Sequence, residues 1–335
     1  MWLRVTETLF TAEHAENAGI KKLCGPGGGD LETALRSGDR KGVKRVVIVT
    51  QERAHEAGKR QKPQKPLKAI EGGGIMTRPV PDTEPILLES MTWCEVAEAL
   101  QSPDPVALLP IGATEAHGPH LPLQTDGIIS WEAAQRAARR LRQQGITALV
   151  LPLLSYGVTY CGSPFAGTIP LTPATMTALV RDICLSAIRQ GFRTVCICNS
   201  HLEPAHFEAL HQAGKEVQEQ TGITIGIPDK RDPEWAALLT EEFRQGSRHA
   251  GSYETSLVMA ARPDLVREEI RQRLSPVWID LPARLRAGAR TFKEAGSEMA
   301  YFGNPAQASV AEGEACFEAL ATMIVTTVLR LLGRS

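Results

Sequence analysis

The chain lacks any apolar run of about 18 residues, so no membrane-spanning helix is expected. Its N-terminus, MWLRVTETLFTAEHAENAG, is broken by Arg4, Glu7, Glu13 and Glu16 and has no apolar centre of the secretory type. Charge of one sign is missing as well. The net charge is −1, which gives no electrostatic case for nucleic acid or an anionic membrane as partner. No CxxC pair occurs among seven scattered cysteines, an odd count. Cys196 and Cys198 stand two apart in an apolar run, about 7 Å along a strand and at the upper limit for a disulfide. Reduced buried thiols in a cytoplasmic protein are therefore expected. The chain has no internal repeat and no Gly-rich phosphate cradle. It has no clustered arginine near its histidine-bearing loops, which speaks against phosphate-ester chemistry.

What is present is enough for a large core: 335 residues, 43% hydrophobic and 22% charged. Residues 1–75 differ from the rest. They hold fourteen Lys/Arg against nine Asp/Glu, a balance of +5 that leaves −6 for residues 76–335. GPGGGD and EGGGI bracket linker-like QKPQKPLK, and VKRVVIV (43–49) is the one core-like piece. Residues 1–75 are expected to be a disordered N-terminal extension or to precede a true start at Met76. The folded domain is expected over 76–335.

From about residue 84 apolar runs alternate with helical periodicity. Strands are predicted over 105–112, 147–154, 193–199 and 223–228. Helices are predicted over 126–145, 172–191, 204–222, 232–246 and 309–332. Thr172 and Pro173 open the second helix and Gly191 ends it. This order implies right-handed crossovers and a three-layer α/β/α fold with a mainly parallel sheet. In such sheets sites form beyond the carboxyl ends of the strands.

The polar clusters fall at those ends. TEAHGPHLPLQTD (114–126) gathers Glu115, His117, His120 and Asp126 between glycines and prolines that let a loop bend onto one point. NSHLEPAH (199–206) adds His201 and Glu203, and RHAGSYET (248–255) adds His249 and Glu254. SPFAGTI (163–169) offers a glycine whose amide can approach a ligand closely. Carboxylates with imidazoles suit Zn²⁺, Mn²⁺ or Fe²⁺. Five donors, Glu115, His117, Asp126, His201 and Glu203, exceed the needs of one ion and match two ions sharing one carboxylate. His206 and His211 lie on a predicted helix and are read as packed or solvated rather than as ligands.

These residues resemble the creatininase family of metal-dependent amidohydrolases. EAHGPHLPLQTD (115–126) is similar to that family's E-x-H-G-P-H-L-P-x-x-T-D throughout, NSH (199–201) to its asparagine-x-histidine, and HAGSYET (249–255) to its H-A-G-x-x-E-T. FAGT (165–168) meets F-P-G-T in part. The resemblance covers about residues 84–330. It implies a creatininase-like fold and two divalent metal ions, with Glu115 and His201 on one, His117 and Glu203 on the other, and Asp126 between them. His120 would support the ligands from behind, and Gly167, Thr168 and Leu202 would border the substrate. His249 would sit near the leaving group, and Glu203 or Glu254 would take the proton. Members acting on creatinine carry an aromatic residue where Leu202 stands, and an asparagine where Pro204 stands. The implied reaction is hydrolysis of a cyclic or linear amide. A peptidase trimming a ribosomally made cofactor precursor and a non-catalytic metal-binding paralogue are the alternatives. The resemblance also implies a small amide or short peptide as substrate and a homo-oligomer, a hexamer.

Overall fold

Three apolar runs become the sheet: β1 (Val106–Ile111), β2 (Ala148–Val150) and β3 (Thr194–Asn199). Every residue in them is buried, as strands covered on both faces require. The order is β2-β1-β3 and all pairs are parallel, Val106 standing opposite both Ala148 and Thr194. The computed structural model describes residues 86–334, so the expected N-terminal extension lies outside the described residues.

Alternation along β1 sends Val106 and Leu108 to one face and Ala107, Leu109 and Ile111 to the other. The first face packs against α1 (Thr125–Gln143), α4 (Ser252–Ala261) and α5 (Val310–Leu331). The second packs against α2 (Pro173–Gln190) and α3 (Pro204–Thr221). These layers form the α/β/α arrangement that the alternation implies. The start of α2 is built as its sequence predicts. Thr172 Oγ1 accepts from the Thr175 amide at 3.2 Å, Pro173 fills the first turn, and Gly191 ends the helix at φ +119°. A cap of this kind stabilises a helix by about 1 kcal/mol.

Several predicted elements are corrected. Strand 147–154 stops at Val150, where the register slips by one residue between the Leu108–Val150 pair and the single bridge that pairs Ile111 with Leu154. The run 223–228 contributes one bridge, Gly226 to Cys196, where Gly226 lies so close that an added Cβ would meet Leu331 at 2.9 Å and Cys196 Sγ at 3.1 Å. The predicted helix 232–246 is two short turns, Pro233–Ala236 and Glu241–Arg244, the second capped by Thr240 in extended backbone. The segment read as the loop 248–255 runs from Ser252 into α4. Its first seven residues are all buried, so it lacks the polar face that reveals a surface helix.

One close approach brings the site to the sheet. Gly112 follows β1, and a Cβ there would lie 2.5 Å from the Gly127 amide and 2.8 Å from Asp126 Cβ. Glycine lets the first turn of α1, which carries Asp126, sit against the end of the central strand.

Candidate metal centre

The three loops expected to converge do so at the carboxyl edge of the sheet. Glu115, His117, Asp126, His201, Glu203, His249 and Glu254 are all buried. Asp126 stands between two groups of donors. Its Oδ2 lies 3.0 Å from His201 Nδ1, which is 3.4 Å from Glu115 Oε2. Its Oδ1 lies 3.5 Å from His117 Nε2, which is 3.5 Å from Glu254 Oε2. Two ligands at about 2.1 Å from one cation are about 3.0–3.4 Å apart at octahedral to tetrahedral angles; the His201 separations fall in that range and those of His117, at 3.5 Å, lie just beyond it.

Hydrogen bonds fix which imidazole nitrogen faces inward. His117 Nδ1 donates to the Glu115 carbonyl at 3.0 Å, leaving Nε2 turned towards Asp126 and Glu254. His201 Nε2 donates to the Val158 carbonyl at 2.8 Å, leaving Nδ1 turned towards Glu115 and Asp126. A backbone carbonyl behind a ring is the usual device for holding a histidine ligand. His117 Nε2 and Asp126 Oδ2 make no hydrogen bond although both are buried, the signature of atoms waiting for a cation. The residues present therefore fit a divalent metal.

Two further placements differ from the sequence expectation. His117 is not grouped with Glu203; its carboxylate partners are Asp126, Glu254 and Glu115. Glu203 lies with Glu115 and His201 instead. Its two oxygens accept from the amides of Tyr160 and Cys161, both at 3.0 Å. Gly167 and Thr168 do not line the cavity. Gly167, at φ +86°, packs on Leu123, and Thr168 Oγ1 accepts from the Ala116 amide at 3.1 Å, so both support the Glu115 loop. Leu202 does line the cavity. His120 bonds Thr255 Oγ1 at 2.9 Å behind the donors, and His211 is exposed.

His249 donates through Nε2 to the Ala116 carbonyl at 2.9 Å and turns Nδ1 towards Glu115 Oε2, 3.9 Å away. Its ring lies between those of His117, 4.3 Å away, and Phe292, 4.1 Å away. The preceding turn carries Ala250 at φ +52°, a conformation that strains a non-glycine residue and is held here by full burial.

Sequence reasoning missed three supports. His206 is packed, as expected, but its Nδ1 accepts from the Val158 amide and its Nε2 donates to Asn199 Oδ1, bracing the strand end behind His201. Thr159 Oγ1 donates to Glu115 Oε1 at 2.5 Å. Lys230, buried, donates to the Ser200 carbonyl at 2.9 Å and lies over the Tyr253 ring. A lone lysine between two predicted elements carries no local signal of such a role.

Burial alone would drive charge out of this cluster, yet mutual attraction wins. His117 loses proton affinity by burial but gains more from Asp126, Glu254 and Glu115, and its pKa rises to about 9. His201 rises well above its usual value for the same reason, through Glu115 and Asp126. Burial raises Glu115, but His201, His249 and His117 reverse this and bring it to about 2. Glu254, buried and beside Asp126, is pushed up to about 7 despite His117. Burial and the charge of His117 lower His249 to about 4. In the metal-free protein at neutral pH, His117 thus carries a proton that a cation must displace. Its folded pKa exceeds the unfolded value, so this proton stabilises the empty site below pH 6.5 and stops doing so as pH rises through about 9. Metal affinity is expected to climb with pH up to that point, by about tenfold per unit for each proton displaced. Calorimetry in buffers of different ionisation heat checks this; binding without proton release would contradict it.

A three-layer α/β/α fold whose strand-end loops gather buried carboxylates and imidazoles defines a metal-binding hydrolase. A family model described as creatinine amidohydrolase matches residues 89–328, and the chain belongs to the creatininase family, whose members hydrolyse amide bonds. It is 32% identical over 199 residues to creatinine amidohydrolase of Pseudomonas putida, covering 54% of this chain and 74% of that one. It is 31% identical over 239 residues to the mycofactocin precursor peptide peptidase of Mycobacterium tuberculosis, covering 69% and 87%. A crystal structure of creatinine amidohydrolase superposes with a TM-score of 0.61 at 26% identity, over 76% of this chain and all of that one.

Proposed function

We propose that the site is dinuclear and cleaves a C–N bond of a cyclic or linear amide. The observation that carries this reading is the splitting of Asp126, with Oδ1 facing His117 and Oδ2 facing His201. Glu115 and His201 would complete one seat, and His117 and Glu254 the other, with Zn²⁺, Mn²⁺ or Fe²⁺ all suited to these donors. When bound, two such ions supply the positive charge that polarises a carbonyl and acidifies water near neutral pH.

The chain's own groups move the protons. Glu203, oriented by two amides and raised in pKa by burial, takes the proton of the attacking water. The oxygen bonds to the carbonyl carbon and the C–N bond breaks. The departing nitrogen is too basic to leave as an anion, so it must receive a proton. His249 is placed for that step: its Nε2–H is held by the Ala116 carbonyl and its Nδ1 is free to carry a proton inward. Burial favours its neutral form, so it passes on to the nitrogen the proton that Glu203 takes from the water.

A second reading, trimming of a peptide, is favoured by the broader match to the peptide peptidase and by Leu202 and Pro204 at positions where creatinine enzymes differ. The test is metal analysis followed by a panel of small lactams including creatinine, formamides and short peptides. Two ions per chain with hydrolysis of one class is the expected result. Two ions without hydrolysis across the panel would point to a non-catalytic paralogue. His249→Ala is expected to keep its metal and lose about 10²–10⁴ in kcat, the usual worth of a positioned proton carrier. Unchanged kcat on the true substrate would remove that role.

We also place the protein in the cytoplasm, in keeping with the six free thiols among the described residues. We expect a homo-oligomer, a hexamer, to form through surface such as Trp278, which is 56% exposed.

A further inference from the structure

A cavity of about 470 Å³ opens onto the donor cluster, and three arginines line it: Arg231, Arg248 and Arg286. This corrects the sequence expectation that no arginines cluster near these loops. The three come from separate places, before the turn Pro233–Ala236, next to His249, and at the end of the short helix Leu281–Arg286.

None of the three is used by the donor cluster. Among the described residues the ion-pair partners of Glu115, Asp126 and Glu254 are imidazoles. Arg231 is held by Asp229 and lies 4.0 Å over the Phe207 ring. Arg248 makes one hydrogen bond, from Nε to the Phe243 carbonyl at 2.9 Å, and its guanidinium lies 4.8 Å over the Phe243 ring. Its two terminal nitrogens have no protein acceptor among the described residues. Arg286 is exposed and its side chain makes no ion pair or hydrogen bond among them. Burial and repulsion from Arg231 and Arg286 weaken the hold of Arg248 on its proton, against the pull of Asp280 and Asp229, so the three charges are near neighbours. Like charges gathered at a part-apolar opening, with Leu281, Leu285 and Phe292 beside them, are stabilised by an anion.

We propose that the substrate is an amide that also bears a carboxylate, and that Arg248 and Arg286 hold that carboxylate while the cation-binding donors face the scissile bond. The proposal rests on the amide-hydrolase reading. A planar guanidinium matches a carboxylate through paired N–H donors, which gives direction as well as attraction. Arg231, already paired with Asp229, adds field rather than a free fork. The seat would fix which end of the substrate enters, a task the apolar wall cannot perform.

The test uses the metal-loaded full chain with N-acetyl amino acids and dipeptides, each paired with its C-terminal carboxamide. Binding is measured by calorimetry and kcat/KM wherever turnover occurs. The acid of each pair is expected to bind about tenfold tighter or more, as a charge-assisted pair should. In Arg286→Gln and in Arg248→Gln the acid-to-carboxamide ratio is expected to fall towards one. Arg286 is exposed, so its variant keeps the test meaningful even if Arg248→Gln disturbs the stack on Phe243. Equal binding of acid and carboxamide by the unaltered protein would overturn the proposal. So would an acid preference that survives in both variants, since the carboxylate would then be held by the cations alone. Acid-selective binding without any hydrolysis would leave the seat standing and sink the hydrolase reading instead; hydrolysis without acid preference would do the reverse.

Discussion

Asp126→Ala is expected to empty both of the proposed cation seats at once and to lower kcat by about 10³-fold or more, since losing even one oxyanion donor costs an enzyme about 10²–10³. In the proposed partition Glu115 and His201 serve one side, and His117 and Glu254 the other. Asp126 faces an imidazole on each side, through different oxygens. The same variant should lose the stabilisation that metal confers. A ligand at a hundred times its Kd raises stability by about 2.7 kcal/mol, and that increment in melting should be absent. Metal analysis after dialysis, together with melting curves with and without added ion, decides the matter. A variant retaining two ions per chain would mean that Asp126 does not bridge.

Glu203→Gln and Glu254→Gln are expected to fail in different ways. Sequence spacing makes the two glutamates equivalent candidates for a ligand or a proton acceptor. The structure gives them different neighbours, Glu203 beside Glu115 and His201, Glu254 beside His117 and Asp126. Glu254 Oε2 accepts from the Ala250 amide at 2.7 Å and faces His117, so its loss should cost one of the two ions. Glu203 is held by two backbone amides at the cavity wall, so its glutamine should keep both ions. It should lose about 10²–10⁴ in kcat with little change in KM, the pattern of a group acting only in the transition state. One ion per chain in Glu203→Gln would make Glu203 a ligand and leave Glu254 as the proton acceptor.

The contrast shows where reading the chain alone stops. Glu115, His117, Asp126, His201, Glu203, His249 and Glu254 were all legible, because loops rich in proline and glycine beyond strand ends are where an α/β sheet keeps its chemistry. Their partition was not. Whether Glu203 or Glu254 meets His117 depends on α4, which is buried along its first turns and so hides its helical period. The strand lengths were overread for a related reason: β-propensity is local, but a ladder ends where the register slips, as between Val150 and Leu154, or where a helix intrudes, as at Gly226.

By itself the sequence determined the layered α/β order, the start of α2 and its glycine stop, and the set of side chains able to ligate a metal, since each follows from short-range periodicity or residue chemistry. Tertiary structure alone decided which oxygen of Asp126 faces which imidazole, and which nitrogen of each ring is turned inward. It also brought Arg231, Arg248 and Arg286 to one opening. Those outcomes depend on distances between segments far apart along the chain, set by helices packing on opposite faces of the sheet.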